Sequence, residues 1–193
     1  GVGGFGWTVT RNWIGYNNPF GGGDDGGGGI GANGSNGANG ADADGNGGAD
    51  SARDAALRSG HGGMLFALGM HGHLNSLQKP DLYTYLKSGH DPTTVGLLLG
   101  MACNHRGTAD ATVANTIIKM HIPNTYDLSL NQSIGTELEP VTQSAALASL
   151  GLLYMRTNNR QIAEFLISEM GRRPSHDRCE DRESYTLSAG LPP

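Results

Sequence analysis

The 193-residue sequence holds only two cysteines, Cys103 and Cys179, far apart and with no CxxC spacing. That scarcity argues against a disulfide framework and predicts reduced thiols in an intracellular chain. Long apolar runs are also missing. The longest, residues 95–103 and 145–155, fall well short of the ~18 residues that span a bilayer. No secretory apolar core opens the sequence, so no membrane partner is expected. Basic excess is absent too: the formal charge is −5, and no Lys/Arg stripe appears, which argues against nucleic acid. Strand-like alternation is nearly absent, which leaves helices as the expected element.

Catalytic motifs are wanting as well. "GVGGFG" (residues 1–6) fits GxGxxG formally, but no strand precedes it and no βαβ unit surrounds it. "GHGG" (60–63) would need a GxSxG elbow to act as an oxyanion loop, and "NGSNG" (33–37) lacks the first glycine. His71 and His73 are two apart, which puts them on different helix faces rather than in the i, i+4 relation of joint ligands. Pairs such as Glu164 and Glu169, or Asp181 and Glu183, are expected on solvated faces. No catalytic residue, metal ligand, cofactor or small-molecule substrate is therefore assigned.

What the sequence has in abundance is glycine, 32 in all, 14 of them in residues 21–50. That stretch carries five aspartates, no Lys or Arg and one large apolar residue, Ile30. It cannot bury enough apolar surface to offset its ordering entropy, and it is expected to be a disordered insertion between an N-terminal segment (1–20) and the rest (51–193). Gly1 in place of Met and the stop after "AGLPP" predict a piece of a longer chain.

Past residue 50, two kinds of segment alternate. "GGMLFALGMHG", "TTVGLLLGMAC", "SAALASLGLLYM" and "SYTLSAGL" are apolar nearly all round and glycine-punctuated. "DLYTYLKSG", "DATVANTIIKMHI" and "RQIAEFLISEM" are amphipathic at helical spacing, the last with Ile162, Phe165, Leu166 and Met170 inward. Asp91-Pro92 and Glu139-Pro140 read as helix starts, with Thr108 and Asn158 as further caps. Residues 124–139 read as a loop insertion. Gly69, Gly100, Gly151 and Gly190 fall at spacings of 31, 51 and 39 residues, the middle one lengthened by that loop. The expected fold is all-α, a partial α-solenoid of helical-hairpin repeats. Gly63, Gly69, Gly96, Gly100, Gly151 and Gly190 are its candidate close-packing points, where a bare Cα lets the next helix approach. The histidines of "HGGMLFALGMHGHL" (61–74) then read as residues flanking a helix end.

A glycine-punctuated apolar helix followed by an amphipathic one resembles the proteasome/cyclosome repeat. "NWIGYNNP", "GGMLFALGMHGHL", "TVGLLLGMACNHRGT", "HIP", "SEMGRRP" and "DRESYTLSAGL" are similar, in order, to stretches of the largest subunits of the anaphase-promoting complex (cyclosome). The chain departs from that pattern at Arg156, where a glycine usually follows "GLLYM". The resemblance implies a non-catalytic scaffold whose helix pairs curl toward a toroid, within a multi-subunit ubiquitin ligase that controls mitosis. It implies the other subunits of that complex, substrate-recognition modules included, as partners, and a nuclear and cytoplasmic location. The scaffold subunits of the proteasome regulatory particle share the repeat and form the alternative. A histidine-cluster metal enzyme is the remote one.

Overall fold

The computed structural model describes residues 9–20, 47–115, 121–122, 139–171 and 182–190. The expected insertions at 21–50 and 124–139 therefore lie almost wholly outside the described residues. Their described edges are helical or cap a helix: a helix already begins at Gly47, and Glu139 caps another.

All regular structure among the described residues is helical. The α-helices are α1 (Arg11–Tyr16), α2 (Gly47–Met70), α3 (Lys79–Lys87), α4 (Asp91–Asn104), α5 (Ala111–Val113), α6 (Pro140–Leu153), α7 (Arg160–Gly171) and α8 (Arg182–Gly190). A 3₁₀ turn, His73–Ser76, joins α2 to α3. The apolar helices α2, α4, α6 and α8 pack on one another in that order, and the amphipathic segments lie between them. The chain is thus a stack of helical hairpins, with each apolar helix buried against the next. None of the described helices is long and apolar enough to cross a membrane.

Local chemistry sets the boundaries. Pro140 follows the N-cap Glu139 at the first helical position, where its missing N–H costs nothing. At α4 the cap is His90 rather than Asp91, which sits in the first turn where its charge meets the helix dipole. The other two caps instead fall later than Thr108 and Asn158. Asp110 Oδ1 accepts from the Thr112 and Val113 N–H groups at 2.7 and 3.3 Å, and Asn159 Oδ1 accepts from Ile162 N–H at 3.2 Å. Those amide donors hold the Asp110 carboxyl below the usual carboxylate range.

The core runs along the stack through Leu65, Leu97, Leu98, Leu147, Leu150 and Leu153. On α3, Leu82 and Tyr85 are buried with Leu86 partly so, as the i, i+3, i+4 pattern predicts. On α7, Leu166 is buried and Ile162 and Phe165 partly so, whereas Met170 stays 40% exposed. Residues 9–20 dock beside this stack. Ile14 is fully buried, and the Arg11 guanidinium grips the Asp81 carboxylate through two bonds of 2.7 Å. That guanidinium keeps the Asp81 carboxyl below its ordinary range. Phe20 lies under the Arg58 guanidinium at 5.3 Å and edge-on to Tyr85.

Candidate functional site

The α2–α4 crossing is the structural centre of the chain. The two helices run parallel, so contacts advance together along both: Gly62 meets Pro92 to Gly96, and Gly69 meets Gly100. A Cβ on Gly62 would stand 2.5 Å from the Pro92 carbonyl oxygen. On Gly100 it would stand 2.7 Å from the Leu65 carbonyl oxygen, and on Gly69 or Gly96 it would overlap the main chain of Gly100 or Gly62. Main chain packs directly on main chain here. Each helical glycine costs about 1 kcal/mol of propensity, which the dense contact made possible by the missing side chain offsets.

The candidate glycines divide on this geometry. Gly69, Gly96 and Gly100 stand at the crossing. Gly63 does not: it is exposed, with nothing among the described residues within 4 Å of where its Cβ would be. The contact belongs to its neighbour Gly62, because one residue turns the helix face by about 100°. Gly62, Leu65 and Gly69 fall at i, i+3, i+7, and that stripe is the sequence signal that separates the two. Gly151 is buried on α6. Gly190 is exposed, and among the described residues its Cβ would meet only the Met170 side chain, at 3.3 Å from Cε.

The histidines separate as well. His71 and His73 lie at the end of α2, rings stacked at 6.4 Å. His61 is instead buried within α2, with Nε2 3.1 Å from the Tyr85 hydroxyl and its ring stacked on Tyr85 at 5.3 Å. Burial pushes the His61 pKa down to about 4, against a smaller upward pull from the Asn17 main chain, so the ring is neutral at pH 7. Burial likewise raises the Tyr85 pKa. A separate polar chain ties α4 to α2: His90 Nδ1 lies 2.8 Å from Thr93 Oγ1, and that hydroxyl donates to the Arg58 carbonyl at 3.0 Å. Among the described residues no three of His, Cys, Asp and Glu converge as metal ligands would.

Glu169 departs from its expected solvated face. It is buried and accepts a 2.6 Å bond from the Tyr185 hydroxyl, joining α7 to α8. This bond links two of the stretches that carry the resemblance, "SEMGRRP" and "DRESYTLSAGL". Glu164 does face solvent, in an i, i+4 pair with Arg160, and Glu183 is exposed. Asp181 lies outside the described residues. Cys103 is half-buried, and burial raises its thiol pKa, the opposite of what a nucleophilic thiolate needs. Cys179 lies outside the described residues. The arrangement is one of close packing and buried polar ties.

A family model described as APC1 fourth domain matches residues 6–106, and one described as APC1 fifth domain matches residues 112–192. The two matches meet in the turn that follows α4. Anaphase-promoting complex subunit 1 of Dictyostelium discoideum is 41% identical over 139 residues, covering 72% of this chain and 6% of that protein. The Homo sapiens subunit 1 is 39% identical over 143 residues, covering 72% and 7%. A protein named negative regulator of mitosis, from Emericella nidulans, is 32% identical over 140 residues, covering 70% and 7%. The chain thus spans less than a tenth of the length of these relatives.

Proposed function

From the premise that this chain belongs to the anaphase-promoting complex subunit 1 family, we propose that it is a non-catalytic scaffold segment of that complex. It holds part of the helical-repeat body on which other subunits, substrate-recognition modules among them, assemble. The complex is a ubiquitin ligase that acts in mitosis, and the transfer chemistry belongs to other subunits. The working location is nuclear and cytoplasmic.

The observation that carries this reading is the α2–α4 crossing, where glycine main chain lies on glycine main chain. Such contact fixes the two helices rigidly against each other. A scaffold needs that rigidity, because partner surfaces must keep their spacing.

The test is purification of the tagged full-length protein from synchronised cells, followed by mass spectrometry. Anaphase-promoting complex subunits in stoichiometric yield are expected. Proteasome regulatory-particle subunits in their place, or stoichiometric zinc in the purified chain, would overturn the reading.

A further inference from the structure

Residues 9–20 meet the rest of the chain differently from the helices of the stack. Within the stack, one stretch of main chain completes another: the Gly107 and Ala109 N–H groups donate to the Leu152 and Leu153 carbonyls at 3.2 and 3.1 Å and close the end of α6. The 9–20 segment closes its own ends. Thr10 Oγ1 accepts from the Trp13 N–H at 3.3 Å at the start of α1, and Asn17 Nδ2 donates to the Trp13 carbonyl at 2.8 Å at its end. Asn18 Oδ1 then accepts from the Phe20 N–H at 3.0 Å, a local turn that brings Phe20 round to the stack.

What crosses from the segment to the stack is mostly side chain. Arg11 and Ile14 stand at i, i+3 on one face of α1. Arg11 holds the Asp81 carboxylate, Ile14 joins the buried core, and the Asn17 main chain reaches the His61 ring. The Phe20 ring lies 6.4 Å from Tyr85, 5.9 Å from His90 and beneath Arg58. Trp13 and Tyr16, on the opposite face of α1, stay exposed. The seat is therefore built from Arg58 and His61 on α2, Asp81 and Tyr85 on α3, and His90 at the start of α4. Contacts that do not involve the segment already join these elements: the glycine crossing of α2 with α4, and the His61–Tyr85 contact of α2 with α3.

We propose that this face is an exchangeable peptide site: residues 9–20 occupy it as a ligand carried on the same chain, and a separate peptide with the same Arg-x-x-Ile core and aromatic end takes it once that ligand is displaced. A segment that satisfies its own main chain keeps those hydrogen bonds when it leaves, so release forfeits chiefly the Arg11, Ile14 and Phe20 contacts. One buried aliphatic anchor, with a two-bonded charge pair to fix its register, is the pattern of a helix seated in a groove. In sequence the segment precedes α2 by residues 21–46. Attachment raises its local concentration at the seat, so a free peptide competes poorly until the attached one is displaced. The site goes beyond the scaffold reading and does not depend on it.

The test uses a fluorescein-labelled peptide of residues 8–20, "TVTRNWIGYNNPF", and the full chain, read by fluorescence anisotropy. Ile14→Asp in the chain displaces the attached segment. Saturable binding of the peptide to that variant is expected, with the parent chain at least tenfold weaker. A peptide that itself carries Ile14→Asp should not bind. Adding Asp81→Asn to the chain, which keeps an acceptor for the Gln78 N–H, should weaken binding at least threefold. Titration of the His61 ring by NMR gives an independent readout: its pKa, about 4 when covered, should rise in the Ile14→Asp chain and fall again on adding peptide. Where circular dichroism shows that Ile14→Asp loses helix, Arg11→Glu, at an exposed position, vacates the seat in its place. No saturable binding to a folded, vacated chain, or affinities for the parent and vacated chains within twofold, would overturn the proposal. Either result leaves the co-purification test of the scaffold reading untouched.

Discussion

The α2–α4 crossing and the α7–α8 junction carry glycines of the same register, yet they are built from different materials. At the crossing, a Cβ on Gly69 or Gly96 would run into main chain, which cannot yield without moving a helix. At the junction, a Cβ on Gly190 would meet a thioether that can swing aside. There the tie is a side-chain bond, Tyr185 to Glu169. Identical register in the sequence therefore does not mean identical tolerance. What a glycine faces decides whether it can be replaced.

The sharpest way to break the contrast is Gly96→Leu. Forcing α2 off α4 should destabilise the chain by about 4 kcal/mol or unfold it, whereas Gly190→Ala should shift stability by less than about 1 kcal/mol. Urea titrations followed by circular dichroism measure both, and equal effects would erase the distinction between the two regions. Next is Tyr185→Phe, which leaves the buried Glu169 without that donor and should cost about 2 kcal/mol. A loss confined to α7 and α8 in hydrogen exchange would mark the junction as a local tie.

The crossing region has its own pH signature. His61 has a folded pKa of about 4, below an unfolded value of about 6.5, so the unfolded state binds the extra proton between them. Stability should therefore be full above pH 6.5 and fall by about 2 kcal/mol on acidification to pH 4. His61→Gln should flatten that slope in thermal melts at pH 4, 5, 6 and 7; a slope as steep as the parent's would assign it to carboxylates instead. The smallest effect has the opposite sign. Gly63→Ala has open space for its methyl and gains helix propensity, so it should stabilise by about 0.5–1 kcal/mol. Gly62→Ala, one residue earlier, should destabilise the same helix.

Much of this fold is legible in the sequence, because helical period and glycine punctuation act locally. The described apolar and amphipathic segments at 61–104 and 140–171 take the alternating order their spacing predicts, while residues 116–120 of "DATVANTIIKMHI" lie outside the described residues. Which of two adjacent glycines faces the neighbour is a question of helix rotation, and there the Gly62–Leu65–Gly69 stripe selects Gly62 over the expected Gly63. Glu169 lies three residues past Leu166, on the apolar stripe, so position signals its burial even though charge argues against it. The pairing of His61 with Tyr85 was not legible: it joins helices 24 residues apart, and single-helix periodicity carries no information about that distance. Arg156 is a departure visible in the sequence whose meaning needed a dihedral angle, since a left-handed φ shows why glycine would suit that place.

The Gly107–Ala109 turn has a directional consequence. It closes the end of α6, a helix that comes later in the chain, so that hairpin is finished by the turn before it. Growth of such a stack is polar, like masonry laid in courses. A chain emerging from the ribosome presents each cap before the helix that needs it. Trimming from the C-terminal side strips helices from caps that water can satisfy, while trimming from the N-terminal side leaves helix ends open. Truncations from the two sides should therefore differ in amide-exchange protection at the last turn of α6, and equal protection would show that the polarity has no weight in assembly.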